Sequence, residues 1–286
     1  METKKVKIIS DSTCDLSPEL VARYDIGIIP LHVLLGEDEY EDGVNIKPDD
    51  LYAWADANKT TPKTSAPSFD TIAGVIKPYT DEGRQVIAFC ISETMSTCGN
   101  AIRIAADELD AEDLVTVYNS KNLSTGIGHL VIAAAILAEE GKSPEEIVAA
   151  LDELNPKVRA SFVVDTLTYL HRGGRCSGLA ALAGGALKLH PKISVVDGVM
   201  GAGKKYRGAI AKATLDYVKD MEDDLKVARP DRVFITHSGC NPELVGEVRS
   251  YLESLDHFDE ILETRAGSVV SSHCGPGTLG VLFIAP

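Results

Sequence analysis

The sequence predicts an α/β protein of two domains, a Rossmann-like one with a parallel sheet over residues 1–156 and a mixed α/β one over residues 157–286. Three observations predict it. Before Asn155, short apolar runs alternate with longer helical patterns, the spacing of βαβ units around a largely parallel sheet. After it, strand pairs joined by glycine turns replace the strict alternation. Asn155-Pro156 separates the two regimes, and 286 residues suffice for two ordinary domains.

The elements follow in order. Val6–Ile9 reads as a buried strand, followed by the polar turn Ser10–Asp15. Ser17-Pro18 opens a helix, serine as N-cap and proline at the first helical position. Ile26–Leu35 is one strand-like run, Glu37–Asp42 a hairpin or exposed loop, and Pro48–Asn58 a helix. Thr60–Ser68, stiffened by Pro62 and Pro67, reads as an extended loop, with Ser68 as N-cap of a helix over Phe69–Tyr79. Strands at Gln85–Ile91 and Leu114–Tyr118 alternate with helices at Asn100–Leu109 and Asn122–Glu140, and Ser143-Pro144-Glu145-Glu146 is a capping box for a helix to Leu154. In the second half, Arg159–Val164 is a strand, Leu179–Leu189 a helix of small residues, and Lys192–Arg207 two strands about a basic glycine turn. A helix over Ala209–Leu225, strands at Arg232–Thr236 and Glu260–Glu263, a helix over Pro242–Leu255 and a strand at Leu279–Ile284 complete the chain.

Composition excludes several classes. A formal net charge of −15 opposes nucleic-acid or anionic-membrane partners, both of which demand a positive surface. The six cysteines are scattered with no C-x-x-C pair, so neither a metal site nor a redox motif is expected. The longest uncharged apolar run, Gly126–Ala138, is too short to cross a bilayer, so stable membrane insertion is not expected. No apolar signal region follows the N-terminus, and a cytoplasmic location is expected.

Four stretches could carry chemistry. Thr60–Ser68 places five hydroxyls in nine positions ahead of a helix N-terminus, a setting for a carboxylate or phosphate and equally for a capped, solvated loop. Polar clusters follow the strands at Asp11-Ser12-Thr13, Ser92–Thr97 and Asn119-Ser120, along the sheet edge where ligands bind in open α/β folds. Ser268–Gly280 sets Ser271, Ser272 and His273 beside Gly275-Pro276-Gly277, donors next to a backbone that allows close approach. Thr166–Ser177 ends a short helix at Gly173-Gly174, with Arg175 exposed to solvent or to an acidic contact. Gly198–Lys205 nearly matches a phosphate-binding loop, but Lys205 replaces the hydroxyl residue and an exposed basic hairpin accounts for it better.

Together, Asp11-Ser12-Thr13-Cys14-Asp15-Leu16, Thr64-Ser65-Ala66-Pro67-Ser68, Leu170–Arg175 and His273-Cys274-Gly275-Pro276-Gly277-Thr278-Leu279-Gly280 resemble, in order and over essentially the whole chain, the DegV-type proteins. That resemblance implies a bacterial fatty-acid-binding protein without catalytic residues, cofactor or metal of its own. Its long-chain fatty acid would lie between the two domains, its carboxylate presented to the ATP-binding subunit of a fatty acid kinase. It implies carboxylate contacts from Thr64, Ser65, Ser96 and His273, and a partner contact from Arg175. Ala180, Ala181, Ala183, Gly184 and Gly185 would leave room for the acyl chain. The Ser96 turn departs from the family pattern: Thr97 and Cys98 replace glycine and threonine, and Glu93-Thr94 replaces a small serine-glycine pair. The turn is therefore stiffer and carries an additional acid. Two other readings stay open, an acyl hydrolase using Ser96 and His273, and a binder of another amphipathic anion.

Overall fold

β1 (Lys7–Asp11) is buried at every position, as a strand inside a parallel sheet must be. The computed structural model describes residues 6–177 and 189–286. The expected small-residue helix, with Ala180, Ala181, Ala183, Gly184 and Gly185, lies outside them apart from Leu189, which begins a strand.

α1 (Pro18–Arg23) starts as expected, the Ser17 hydroxyl accepting the Leu20 N–H. The run Ile26–Leu35 is two strands, β2 (Gly27–Ile29) and β3 (His32–Leu35), in different sheets. Pro30, between them, lacks the N–H that a continuous ladder would need. β4 (Asp38–Glu41) forms the expected hairpin with β3, and α2 (Pro48–Asn58) follows. Next come β5 (Lys63–Ser65), α3 (Phe69–Thr80), β6 (Val86–Cys90), α4 (Cys98–Glu108), β7 (Val115–Asn119), α5 (Thr125–Glu139) and α6 (Pro144–Leu154). β2-β1-β6-β7 make a four-stranded parallel sheet, and β4-β3-β5 a small antiparallel one.

A 3-10 turn at Asn155–Lys157 leads into the second half. Its elements are β8 (Val158–Val163), α7 (Thr168–Gly173), β9 (Cys176–Ser177), β10 (Leu189–Val196), β11 (Val199–Arg207), α8 (Ile210–Lys219), α9 (Glu222–Val227), β12 (Val233–His237), α10 (Pro242–Ser254), β13 (Ile261–Arg265), α11 (Ser268–Cys274) and β14 (Leu279–Ile284). The helix expected over Ala209–Leu225 is thus two, breaking where Met221 turns into the core. The strands form one mixed sheet in the order β13-β12-β14-β8-β10-β11-β9. The fold is therefore mixed α/β, with a parallel sheet in the first half and a mixed one in the second.

α5 joins the two sheets. It is apolar almost all round, which requires burial on every side. It packs on β1 and β6 of the first sheet and on β8 and β14 of the second. A Cβ on Gly128 would stand 2.8 Å from the Leu16 side chain, so glycine lets the helix approach the turn after β1.

His129 on α5 is wholly buried, its Nε2–H donating to the Leu282 carbonyl at 3.0 Å. Burial pushes its pKa down to about 4. A folded-state pKa below the unfolded one means that stability is present above about pH 6.5 and is lost as pH falls toward 4. Asp15, whose pKa burial raises to about 8, has the opposite slope, so the histidine's effect is the difference between wild type and His129→Asn. Between pH 7 and pH 4 that difference should change by about 3 kcal/mol in urea unfolding. Parallel curves would show that His129 titrates as it does in the unfolded chain.

Candidate functional site

The hydroxyl-rich stretch is a strand at its centre, not a loop. β5 pairs antiparallel with β3, Thr64 opposite Val33. Ser68 caps α3 by accepting the Thr71 N–H at 3.2 Å, as expected. Thr64 Oγ1 lies 2.9 Å from His273 Nε2, across 209 residues of sequence.

His273 stands in the last turn of α11, a seven-residue helix that Ser-Val-Val-Ser-Ser would not form by propensity. Two distant aspartate side chains hold its start. Asp15 accepts the Gly267 N–H at 2.7 Å and Asp42 the Ser268 N–H at 2.6 Å, satisfying donors that a helix leaves open. Asp15 also accepts the Ser124 hydroxyl at 2.6 Å, and Asp42 the Ser12 hydroxyl at 2.9 Å. Burial raises both carboxyl pKa values, and these hydrogen bonds oppose the rise. Asp11 likewise turns inward, accepting the Ile91 N–H at 2.7 Å and the Thr13 hydroxyl at 2.5 Å. The cluster after β1 is therefore a bolt that fixes α11 and the strand ends, not a ligand contact. Asn119-Ser120 is similarly occupied with its own loop, Asn119 receiving the Lys121 N–H and Ser120 the Asn122 N–H.

The other face of the imidazole rests on α7. A Cβ on Gly173 would lie 2.4 Å from His273 Nδ1, so only glycine admits the ring. Burial, with the nearby Arg175 charge, pushes the His273 pKa down to about 4, and the ring is neutral at pH 7. Nδ1 is buried without a hydrogen-bond partner. A proton there would be an unsatisfied donor, so it belongs on Nε2. Nε2–H then donates to Thr64 Oγ1 and leaves the threonine hydroxyl hydrogen free to point at a ligand.

Ser96 sits in the turn after β6, where its hydroxyl accepts the Cys98 N–H at 3.2 Å. The additional acid of this turn is paired: Glu93 meets Arg103 at 2.6 Å. Arg175 is exposed, yet its guanidinium reaches back to the Gly173 carbonyl at 2.7 Å and the Met95 carbonyl at 3.3 Å.

Thr64, Ser65, Ser96, His273 and Arg175 all line one cavity of about 400 Å³ between the two halves of the chain. Its remaining wall is largely hydrocarbon, with Ile91, Leu123, Phe162, Leu170, Met200 and Val270. Phe162 on β8 and Met200 on β11 carry no local signal in the sequence, because the cavity exists only once two sheets face each other. Ser271 and Ser272 are not part of it. Both are buried and bonded to backbone carbonyls, Ser271 to Ala266 at 3.2 Å and Ser272 to Val269 at 2.8 Å. The glycine-lysine stretch runs along β11, where Lys204 pairs with Asp220, in a hairpin rather than at a helix N-terminus.

Ser96 and His273 do not form a hydrolase dyad: the imidazole bonds Thr64, and no acid reaches Nδ1 among the described residues. No cluster of three or more histidines, cysteines or carboxylates suited to a metal ion occurs among the described residues. No helix among them is long and apolar enough to cross a membrane.

The profile of a family described as "Uncharacterised protein, DegV family" matches residues 5–286. A DegV domain-containing protein of Deinococcus radiodurans is 33% identical over 276 residues, covering 96% of this chain and 97% of its own length. Among solved structures, a DegV family protein from Thermus thermophilus, described by its fatty acid binding, matches with a TM-score of 0.86 at 29% identity, over 99% of this chain and all of its own. A fatty acid (stearic acid)-binding protein from Eubacterium ventriosum matches with a TM-score of 0.85 at 31% identity, over 98% of each chain.

Proposed function

Because the chain belongs to the DegV family, we propose that it binds a long-chain fatty acid in the cavity and presents the carboxylate to a separate kinase. The kinase would be the ATP-binding subunit of a fatty acid kinase, forming the acyl phosphate. One observation carries the reading: Thr64, Ser96 and His273, drawn from three distant segments, share a cavity whose remaining wall is largely hydrocarbon, with Glu93, Thr94 and Thr97 confined to the Ser96 turn. That is the polarity of an amphipathic anion with one polar end. Thr64 and Ser96 donate hydroxyl hydrogens to the carboxylate, Ser65 lies alongside, and neutral His273 sets the direction of the Thr64 donor. Arg175, exposed at the cavity edge, meets the partner. The same reading divides the chain at residue 156, with the ligand between the two domains.

Burying an acyl chain contributes about 0.8 kcal/mol per methylene, so the tail supplies most of the affinity and the hydroxyls supply register. The chain alone is expected to turn over neither ATP nor esters. Palmitate, ATP and the kinase subunit together should yield palmitoyl phosphate only when this protein is present. ATP or ester hydrolysis by the protein alone, abolished in Ser96→Ala, would replace the carrier reading with the hydrolase one.

A further inference from the structure

The turn that carries Ser96 is gripped from outside. The carbonyl of Gly198, at the tip of the β10–β11 hairpin, accepts the Ser92 hydroxyl at 2.7 Å and also the Thr94 hydroxyl. The two hydroxyl oxygens are themselves 3.1 Å apart, and Ser92 Oγ accepts the Thr94 N–H. Within the turn, the N–H groups of Met95 and Ser96 both donate to the Ser92 carbonyl, at 2.8 and 3.2 Å. Ser92 is thus the pivot on which Ser96 is placed, and Gly198 holds the pivot. Gly198 has φ 82°, and a Cβ there would stand 2.6 Å from Ser92 Oγ, so the carbonyl reaches this point only from glycine. Gly198 does not line the cavity, whereas Thr94 and Ser96 do.

We propose that the Gly198 carbonyl is a positioning element for the head-group site, fixing the Ser96 donor through the paired hydroxyls of Ser92 and Thr94. The proposal rests on the reading that Ser96 contacts the ligand carboxylate. The 92–97 turn keeps one geometry because something outside it selects that geometry, and the hairpin tip does so. Gly198 acts only through Ser96, and Thr94, although it also lines the cavity, acts through Ser96 in the same way.

The test is calorimetric titration with palmitate and with 1-hexadecanol, which has the same tail and no carboxylate. Thr94→Val and Gly198→Ala should each weaken palmitate binding about threefold to tenfold, the size of one disturbed hydrogen bond, and hexadecanol binding much less. Thr94→Ser, which keeps the hydroxyl, should bind palmitate like wild type. In a Ser96→Ala background neither substitution should weaken palmitate further, since the donor they place is gone. Equal losses for both ligands, or losses that add to that of Ser96→Ala, would overturn the proposal. So would wild-type palmitate binding by Thr94→Val and Gly198→Ala while Ser96→Ala binds weakly; that result leaves the head-group reading intact. Wild-type binding by Ser96→Ala itself would overturn the head-group reading and this proposal with it.

Discussion

Thr64→Ala and Ser96→Ala should still bind a long-chain fatty acid, at about a tenth to a hundredth of wild-type affinity, and should lose considerably more of its phosphorylation. The first number follows from removing one hydrogen bond to a charged group, about 1.5–3 kcal/mol. Binding would persist because the proposed tail site is walled by Phe162, Leu170 and Met200, which neither substitution touches. Transfer suffers more because an attacking carboxylate must be held in line with the phosphoryl group, and a carboxylate with one donor missing turns. His273→Ala should follow Thr64→Ala, since without Nε2–H the threonine hydroxyl has no fixed direction. Affinity and phosphorylation measured side by side on the three variants check this. Variants that bind and transfer like wild type would place the carboxylate elsewhere.

Asp15→Ala should be the most destabilising of the single substitutions considered. It strands two groups at once, the half-buried Gly267 N–H and the buried Ser124 hydroxyl, the latter costing about 1–3 kcal/mol when unsatisfied. The start of α11 comes loose, and with it the helix that carries His273. A loss of about 2–5 kcal/mol in urea unfolding, with weakened palmitate binding, is the expected outcome. Because the Asp15 pKa is raised to about 8, this carboxyl's contribution falls as pH rises from about 4 toward 8. Asp15→Asn, which cannot ionise, should remove that slope. A stability change below about 0.5 kcal/mol in Asp15→Ala, the size of an ordinary surface substitution, would mean that α11 docks without its carboxylates.

Apolar runs bounded by polar turns place β1, β6, β7 and β14 within a residue or two, and in β1, β6 and β14 burial on both faces leaves an uninterrupted signature. The capped helices were equally legible: Ser17, Ser68 and Ser143 each accept the backbone N–H that their position predicts. Ile26–Leu35 misled because hydropathy does not see that Pro30 diverts the chain into a second sheet. α11 was invisible as a helix, since its stability resides in Asp15 and Asp42, more than 220 residues earlier. The same distance explains why Asp11-Ser12-Thr13 reads as a ligand loop: polar residues after a strand look alike whether they face a ligand or bolt another element in place. Thr64, Ser65, Ser96, His273 and Arg175 are legible only through the family resemblance, and all five line one cavity. The hydrocarbon wall opposite them could not be named, because Phe162 and Met200 become neighbours only when β8 and β11 face the first half of the chain.

Lipid extraction of the purified protein followed by mass spectrometry tests the central claim most directly. The account predicts about one long-chain fatty acid per chain, displaced in equal amount by added palmitate. Protein that carries no fatty acid and shows no saturable palmitate binding would contradict it.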